Sequence, residues 1–221
     1  MKKTKGIWFG RGVHVPDRKT AAARPIEDMP APVVASLSTS MSIGRPAVPV
    51  VKVGDRVGFG QLIAAADGAI SCNVHSSVSG EVVAIEARQN ATGGTETYID
   101  VRNDGKDEKY FLPPLDDPTP AQLCRRAAEA GLVGMGGAGF PTAVKLAPRT
   151  PVDTLVVNGA ECEPYLTCDY RIMTERTDDI VRGARLFARA LGISDIVIGI
   201  EANKPDAVAA CEKYDDLKVV E

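Results

Sequence analysis

GLVGMGGAGFPTAVKL, residues 131–146, places five glycines in nine positions, Gly131 to Gly139, ahead of Phe140, Pro141 and Lys145. It stands where the pattern of the chain changes. On its N-terminal side, Thr119, Pro120 and Gln122 have the spacing of a capping box with proline at the first helical position, AQLCRRAAEA continues a helix, and Gly131 stops it. On its C-terminal side, apolar β-branched runs (DTLVVNG, 153–159; DIVIGI, 195–200; LKVV, 217–220) alternate with helical patterns. YRIMTERTDDIVRGARLFARALG, residues 170–192, reads as one helix with Ile172, Ile180, Ala184, Phe187 and Leu191 on its apolar face, and KPDAVAACEKY as a short one. Strand alternating with helix predicts an α/β domain with a parallel sheet over residues 118–221.

Residues 1–112 read differently. VPVVKVGDRV, GQLIAAADG, VSGEVVAIEA and TETYIDVRNDG are short β-type runs separated by turns, and Tyr98 and Asp100 alternate with Thr97, Ile99 and Val101 at the period of a half-buried strand. FLPPLDDPTP, with four prolines in residues 111–120, reads as the linker. The predicted fold class is therefore two-domain α+β: an N-terminal all-β barrel-sandwich hybrid with an N-terminal arm, then an incomplete, Rossmann-like nucleotide-binding α/β domain. The stretch VKVGDRVGFGQLIAAADGAISCNVHSSVSGEVVAIE resembles the biotinyl/lipoyl-type hammerhead. No lysine lies between Lys52 and Lys106, so a swinging-arm carrier is excluded.

The 221 residues carry a formal charge of -3, which argues against general nucleic-acid binding. Residues 1–52 hold +6 and the remainder -9. The basic N-terminal run is either a solvated arm or a docking element for an anionic membrane surface or an acidic partner. Five cysteines at irregular spacing, with only His14 and His75, fit a reducing cytoplasm and neither a disulfide framework nor a zinc site. No run approaches the ~18 apolar residues of a spanning helix.

The glycine loop has a chemistry. Gly134, Gly136, Gly137 and Gly139 let backbone N–H groups converge without Cβ obstruction, a concavity that suits phosphate oxygens. Pro141 suits the first turn of a following helix whose N-terminus attracts an anion, and Lys145 adds a point charge one turn on. GMGGAG fits a dinucleotide fingerprint only loosely, because it follows a helix and not a strand, so a plain interhelical loop is the competing reading. VVNGAECEPYLTCD, residues 156–169, lies at the end of a predicted strand, where α/β sheets place ligands. There Asn158 suits a flavin or nicotinamide edge, and Glu161 and Glu163 suit ribose hydroxyls or an amide; the alternative is that the two acids cap the next helix. Cys162, Cys168, His75, His14 and Trp8 are assigned structural roles and no chemistry, and no metal site is expected.

GMGGAGFPTAVKL followed by VNGAECEPYLTCDYRIM resembles the C subunit of the Rnf electron transport complex and, more distantly, the flavoprotein subunit of respiratory complex I. GRGVHVPDRK, IGRPAVPVVKVGDRVGFGQLIA and VHSSVSGEVVAIE extend the resemblance over essentially the whole chain. Met135 stands where the complex I relatives have arginine, and Ala160 where they have an acid. The resemblance implies FMN and NAD(H) as cofactors: the glycines and Lys145 toward the flavin phosphate and ring, Asn158 beside the ring, Phe140 as a stacking face for the NADH adenine, and Glu163 toward the nicotinamide nucleotide, with Glu161 a weaker candidate. It implies electron transfer between NAD(H) and iron–sulfur clusters in an ion-translocating ferredoxin:NAD oxidoreductase, with the other members of the complex as partners, ferredoxin indirectly, and a peripheral position on the inner face of the cell membrane. Proteins of this Rnf family continue into cluster-binding domains with CxxCxxCxxxCP runs, which these residues do not contain. The chain is accordingly expected to be a truncated form or a shortened paralogue, inactive or nearly so in NADH oxidation by itself. The alternatives are a component of a soluble flavoprotein reductase of the cobalamin or proline reductase type, and a non-catalytic docking or assembly module that keeps the fold.

Overall fold

The computed structural model describes residues 15–221; His14, Trp8 and the rest of the basic run at 1–14 lie outside the described residues. Ahead of the first helix come β1 (Val34–Ser38), β2 (Val48–Pro49), β3 (Arg56–Val57), β4 (Leu62–Ala65), β5 (Val74–His75), β6 (Gly80–Gln89) and β7 (Thr95–Asn103). They form two antiparallel sheets, ordered β1-β7-β6-β3 and β2-β4-β5. Ile63, Ala64, Val82, Ile99 and Val101 are fully buried in a common core. Each buried isoleucine or valine contributes about 1.5–3 kcal/mol, so this half carries its own stabilising core.

The alternation read in TETYIDV is present: Ile99 and Val101 point inward, while Asp100 is held on the other face by Arg88 and by the Ser36 hydroxyl at 2.5 Å. Strand β1 is not marked in the sequence. VASLS has one large apolar residue besides its valine, and its register is set by pairing with β7, from Val34 opposite Arg102 to Ser38 opposite Tyr98.

Helix α1 (Pro120–Glu129) begins as its sequence dictates. The Thr119 amide donates to Gln122 Oε1 at 2.8 Å, and the Gln122 amide donates back to Thr119 Oγ1. Gly131 ends it at φ +66°; a Cβ there would lie 2.3 Å from the Asn73 carbonyl oxygen, so both the turn and the close approach need glycine. A single turn, α2 (Thr142–Lys145), precedes β8 (Thr154–Gly159), α3 (Cys168–Glu175), α4 (Thr177–Leu191), β9 (Asp195–Ile200), α5 (Pro205–Cys211) and β10 (Lys218–Val220). The sheet order is β10-β9-β8, and β10 runs parallel to β9.

One expectation is corrected. The helix read over 170–192 is broken at Arg176, whose φ and ψ of -130° and 32° are not helical. Thr177 starts a new helix with Asp178 and Asp179 in its first turn, the N-terminal chemistry that the longer period concealed. Ile172 is consequently off the common apolar face and 40% exposed. In β8, Gly159 is buried, whereas Val156 is 67% exposed.

The chain folds as two compact units. One comprises 28–155 with 184–195; the other comprises 156–183 and 196–221 with residues 15–27. In the first, Leu123, Cys124 and Ala127 of α1 pack with Ala143 and Leu146 and with Phe187, Ala190 and Leu191 of α4. In the second, Gly159 lies against Met173 and Gly199, and residues 17–26 are bonded to the segment 161–175.

Candidate functional site

Within the first unit the glycine loop is a closed excursion. Val133 and Pro141 form an antiparallel bridge, the Gly134 amide donates to the Phe140 carbonyl at 2.9 Å, and the Thr142 amide donates to the Leu132 carbonyl at 2.8 Å. Residues 135–138 form the turn at its tip. The glycines divide by what their bareness serves. Gly139 has φ +66°, and a Cβ on it would lie 2.8 Å from the Met41 carbonyl oxygen; the neighbouring Ala138 carbonyl accepts from the Ile43 amide at 3.1 Å. Its bareness is explained by packing on the β-domain backbone. A Cβ on Gly134 would meet Lys145 Nζ at 2.8 Å. At Gly136 and Gly137, by contrast, an added Cβ meets nothing within 4 Å, and Met135 beside them is 92% exposed. No internal packing requires these two to be glycine.

Lys145 is exposed, and its ammonium faces the Phe140 ring, 6.0 Å from the centroid, rather than a carboxylate among the described residues. The expected helix after Pro141 is only α2, four residues long, with Pro141 as the N-cap itself and no side-chain cap. The dipole contribution read from the sequence is therefore small, and Lys145 is the principal positive group of the loop.

Within the second unit the acidic segment leaves β8 at Asn158, whose Oδ1 accepts from the Ala160 amide at 3.0 Å. Asn158 and Cys162 are exposed, and Glu163 projects outward with its carboxylate unpaired by any described side chain. Glu161 is not exposed: its side chain is 1% accessible, and its Oε1 accepts from the Asp169 amide at 2.8 Å, in the first turn of α3. The helix-capping alternative thus describes Glu161, and Glu163 remains the outward acid. The second acidic oxygen, Glu161 Oε2, has no hydrogen-bond partner.

The counter-charge comes from a residue that the sequence did not single out for a role. Lys19 Nζ lies 3.7 Å from Glu161 Oε2, with its side chain 9% exposed. It donates to the carbonyls of Glu161, Glu163 (3.0 Å) and Leu166 (2.8 Å). Around it, the Tyr165 amide donates to the Asp17 carbonyl at 3.0 Å, Arg171 donates to the Ala22 carbonyl at 3.1 Å, and the Ile26 amide donates to the Glu175 carboxylate at 3.1 Å. A cavity of about 540 Å³ opens beside this clasp, lined by Arg24, Ile26, Tyr165, Leu166, Cys168 and Arg171 among others.

Ligand atoms of Glu161, Cys168 and Asp169 lie within 4.8 Å of one another, but the buried ammonium of Lys19 already supplies the positive charge there. Desolvation and the neighbouring Glu161 push the Asp169 carboxyl up, and burial with the Asp169 and Glu161 charges pushes the Cys168 thiol up, keeping it a poor nucleophile. His75, in β5 beside Gly131, has its pKa lowered by burial. The five cysteines are free thiols. No helix among the described residues is long and apolar enough to cross a membrane.

The chain thus carries a two-sheet β domain followed in sequence by a glycine-loop α/β domain, and comparison with known proteins finds a family match for each part. Residues 7–106 match the RnfC barrel sandwich hybrid domain, and residues 127–218 match the Nuo51 FMN-binding domain. The RnfC-type member of the ion-translocating oxidoreductase complex of Rhodobacter capsulatus is 44% identical over 92% of this chain and 41% of its own length. Its equivalent in the Na(+)-translocating ferredoxin:NAD(+) oxidoreductase complex of Acetobacterium woodii is 40% identical over 93% of this chain and 48% of its own. The equivalent in the proton-translocating ferredoxin:NAD(+) oxidoreductase complex of Clostridium ljungdahlii is 42% identical over 93% and 46%. A crystal structure of an NAD+-reducing NiFe hydrogenase matches 46% of this chain and 20% of its own at 28% identity, with a TM-score of 0.39, too low to define a shared fold. The chain belongs to the RnfC family, over the N-terminal part of that family's length. It spans less than half of the relatives named above.

Proposed function

We propose that this chain is the FMN- and NADH-binding part of an RnfC-type component of a ferredoxin:NAD oxidoreductase, which passes electrons between NAD(H) and iron–sulfur clusters held elsewhere in a membrane-associated complex. The observation that carries the reading is the match of residues 127–218 to an FMN-binding domain, a span that contains both the glycine loop and the acidic segment. The loop fits a phosphate on its own geometry. Gly136 and Gly137 are bare without any packing need, and Lys145 presents an ammonium not engaged by a carboxylate among the described residues.

In this reading Gly134, Gly136, Gly137 and Lys145 take the flavin phosphate and ring edge, and Gly139 shapes the loop. Phe140 offers a stacking face for the adenine, Asn158 a donor and acceptor for the ring edge, and Glu163 an acceptor for the nicotinamide nucleotide. Glu161 acts from behind, by holding the segment that bears Asn158 and Glu163. When bound, the flavin supplies the exchange between hydride and single-electron transfer, and the chain supplies binding and orientation. Partners are the other members of the complex, with ferredoxin reached through them.

Equilibrium titration with FMN and with NADH, on the chain and on Lys145→Ala, tests the reading. Saturable FMN binding that weakens in the variant supports it; binding indifferent to Lys145 contradicts it.

A further inference from the structure

The acidic segment is fastened by a residue 142 positions away in the sequence. An ammonium has three N–H donors, and all three of Lys19 are committed to carbonyl oxygens of one short stretch: Glu161, Glu163 and Leu166. This accounts for the unpartnered Glu161 Oε2, which lies 3.7 Å from the same nitrogen and interacts with it through charge alone. The commitment also dictates the shape of the stretch. With these carbonyls turned toward Nζ, Cys162 and Glu163 are left facing outward, and Tyr165 is held at φ +66°, with its amide on the Asp17 carbonyl. A non-glycine residue persists in that conformation only where its surroundings determine it.

We propose that Lys19 is the positioning residue of the nicotinamide-nucleotide segment. Its ammonium fixes the backbone of residues 161–166, so that Glu163 is presented in a preformed position, and residues 17–26 form a strap that belongs to this unit and not to a docking arm. The inference rests on the functional reading above for the identity of the ligand, but not for the fastening itself. A compact three-donor ammonium matches three converging carbonyls, whereas the planar guanidinium of arginine does not.

Lys19→Met keeps the apolar stem and removes the donors. In the 221-residue chain without ligand, amide exchange at Tyr165 and Asp169 is expected to quicken at least tenfold, while the Ile99 and Val101 amides of β7 keep their protection. NADH affinity is expected to fall at least tenfold, with FMN affinity changed less than twofold, because the glycine loop is untouched. Lys19→Arg, which keeps the charge, is expected to fold and melt as the parent does yet to lose NADH affinity several-fold; it carries the comparison if Lys19→Met does not fold. Unchanged exchange overturns the fastening. Faster exchange with unchanged NADH affinity, or parallel loss of NADH and FMN affinity, overturns the positioning role. If the parent chain itself fails to bind NADH, the functional reading falls and exchange at Tyr165 and Asp169 alone decides the fastening.

Discussion

Lys19 Nζ stands 3.7 Å from Glu161 Oε2 and donates no hydrogen bond to it, because its donors are held by three backbone carbonyls. The pair is an ion pair by charge and a backbone clamp by hydrogen bonding.

Removing the buried acid leaves Lys19 without its counter-charge and the Asp169 amide without its acceptor. Glu161→Ala is expected to cost about 3 kcal/mol in urea unfolding followed by a probe in the α/β unit, in line with breaking a buried ion pair from one side. Glu163→Ala, at an outward side chain, is expected to stay within about 0.5 kcal/mol. Equal effects would contradict the separation of the two acids into an inner support and an outer contact.

The glycines separate in the same way. Gly139→Ala forces a side chain into the left-handed region and against the Met41 carbonyl, and is expected to destabilise the first unit by about 1–2 kcal/mol or more. Gly136→Ala meets open space and is expected to leave the melting temperature unchanged while lowering FMN affinity. A Gly136→Ala chain that binds FMN like the parent would remove the phosphate role from the tip of the loop.

In the β unit, the Arg88 guanidinium bonded to Asp100 holds that carboxyl below its ordinary value near 3.8. As pH falls, the unfolded chain takes up this proton first. The stabilisation is therefore fully present above about pH 4 and is lost as pH drops through the lower, folded-state value. Asp100→Asn is expected to cost about 1 kcal/mol at pH 7, with the difference from the parent shrinking below pH 4 in acid-unfolding curves. A cost independent of pH would show that packing, and not charge, is responsible.

What the sequence made legible was local. Thr119 and Gln122 are three residues apart and bond reciprocally; Ile99 and Val101 sit two apart on one face. Each depends on a spacing that a short window contains. The interaction between Lys19 and Glu161 depends on tertiary closure across 142 positions, and nothing in the arm's composition distinguishes a clamp from a solvated basic run. Strand β1 borrows its register from β7, and the break at Arg176 was hidden because Ile172 and Ile180 happen to keep helical spacing through it. For the site, the residue types pointed to the two segments, while burial assigned the parts within them: Glu161 inward, Glu163 outward, Gly139 to packing, Gly136 and Gly137 to solvent.

The phosphate claim is tested most directly by comparing FMN with riboflavin, which differ only in that group, in titrations of the parent chain and Lys145→Ala. FMN is expected to bind the parent at least tenfold more tightly than riboflavin, an advantage that the variant largely loses, since one charge-assisted contact is worth about 1.5–3 kcal/mol. Equal affinity of the parent for the two flavins, or an FMN preference that survives Lys145→Ala unchanged, would contradict the account.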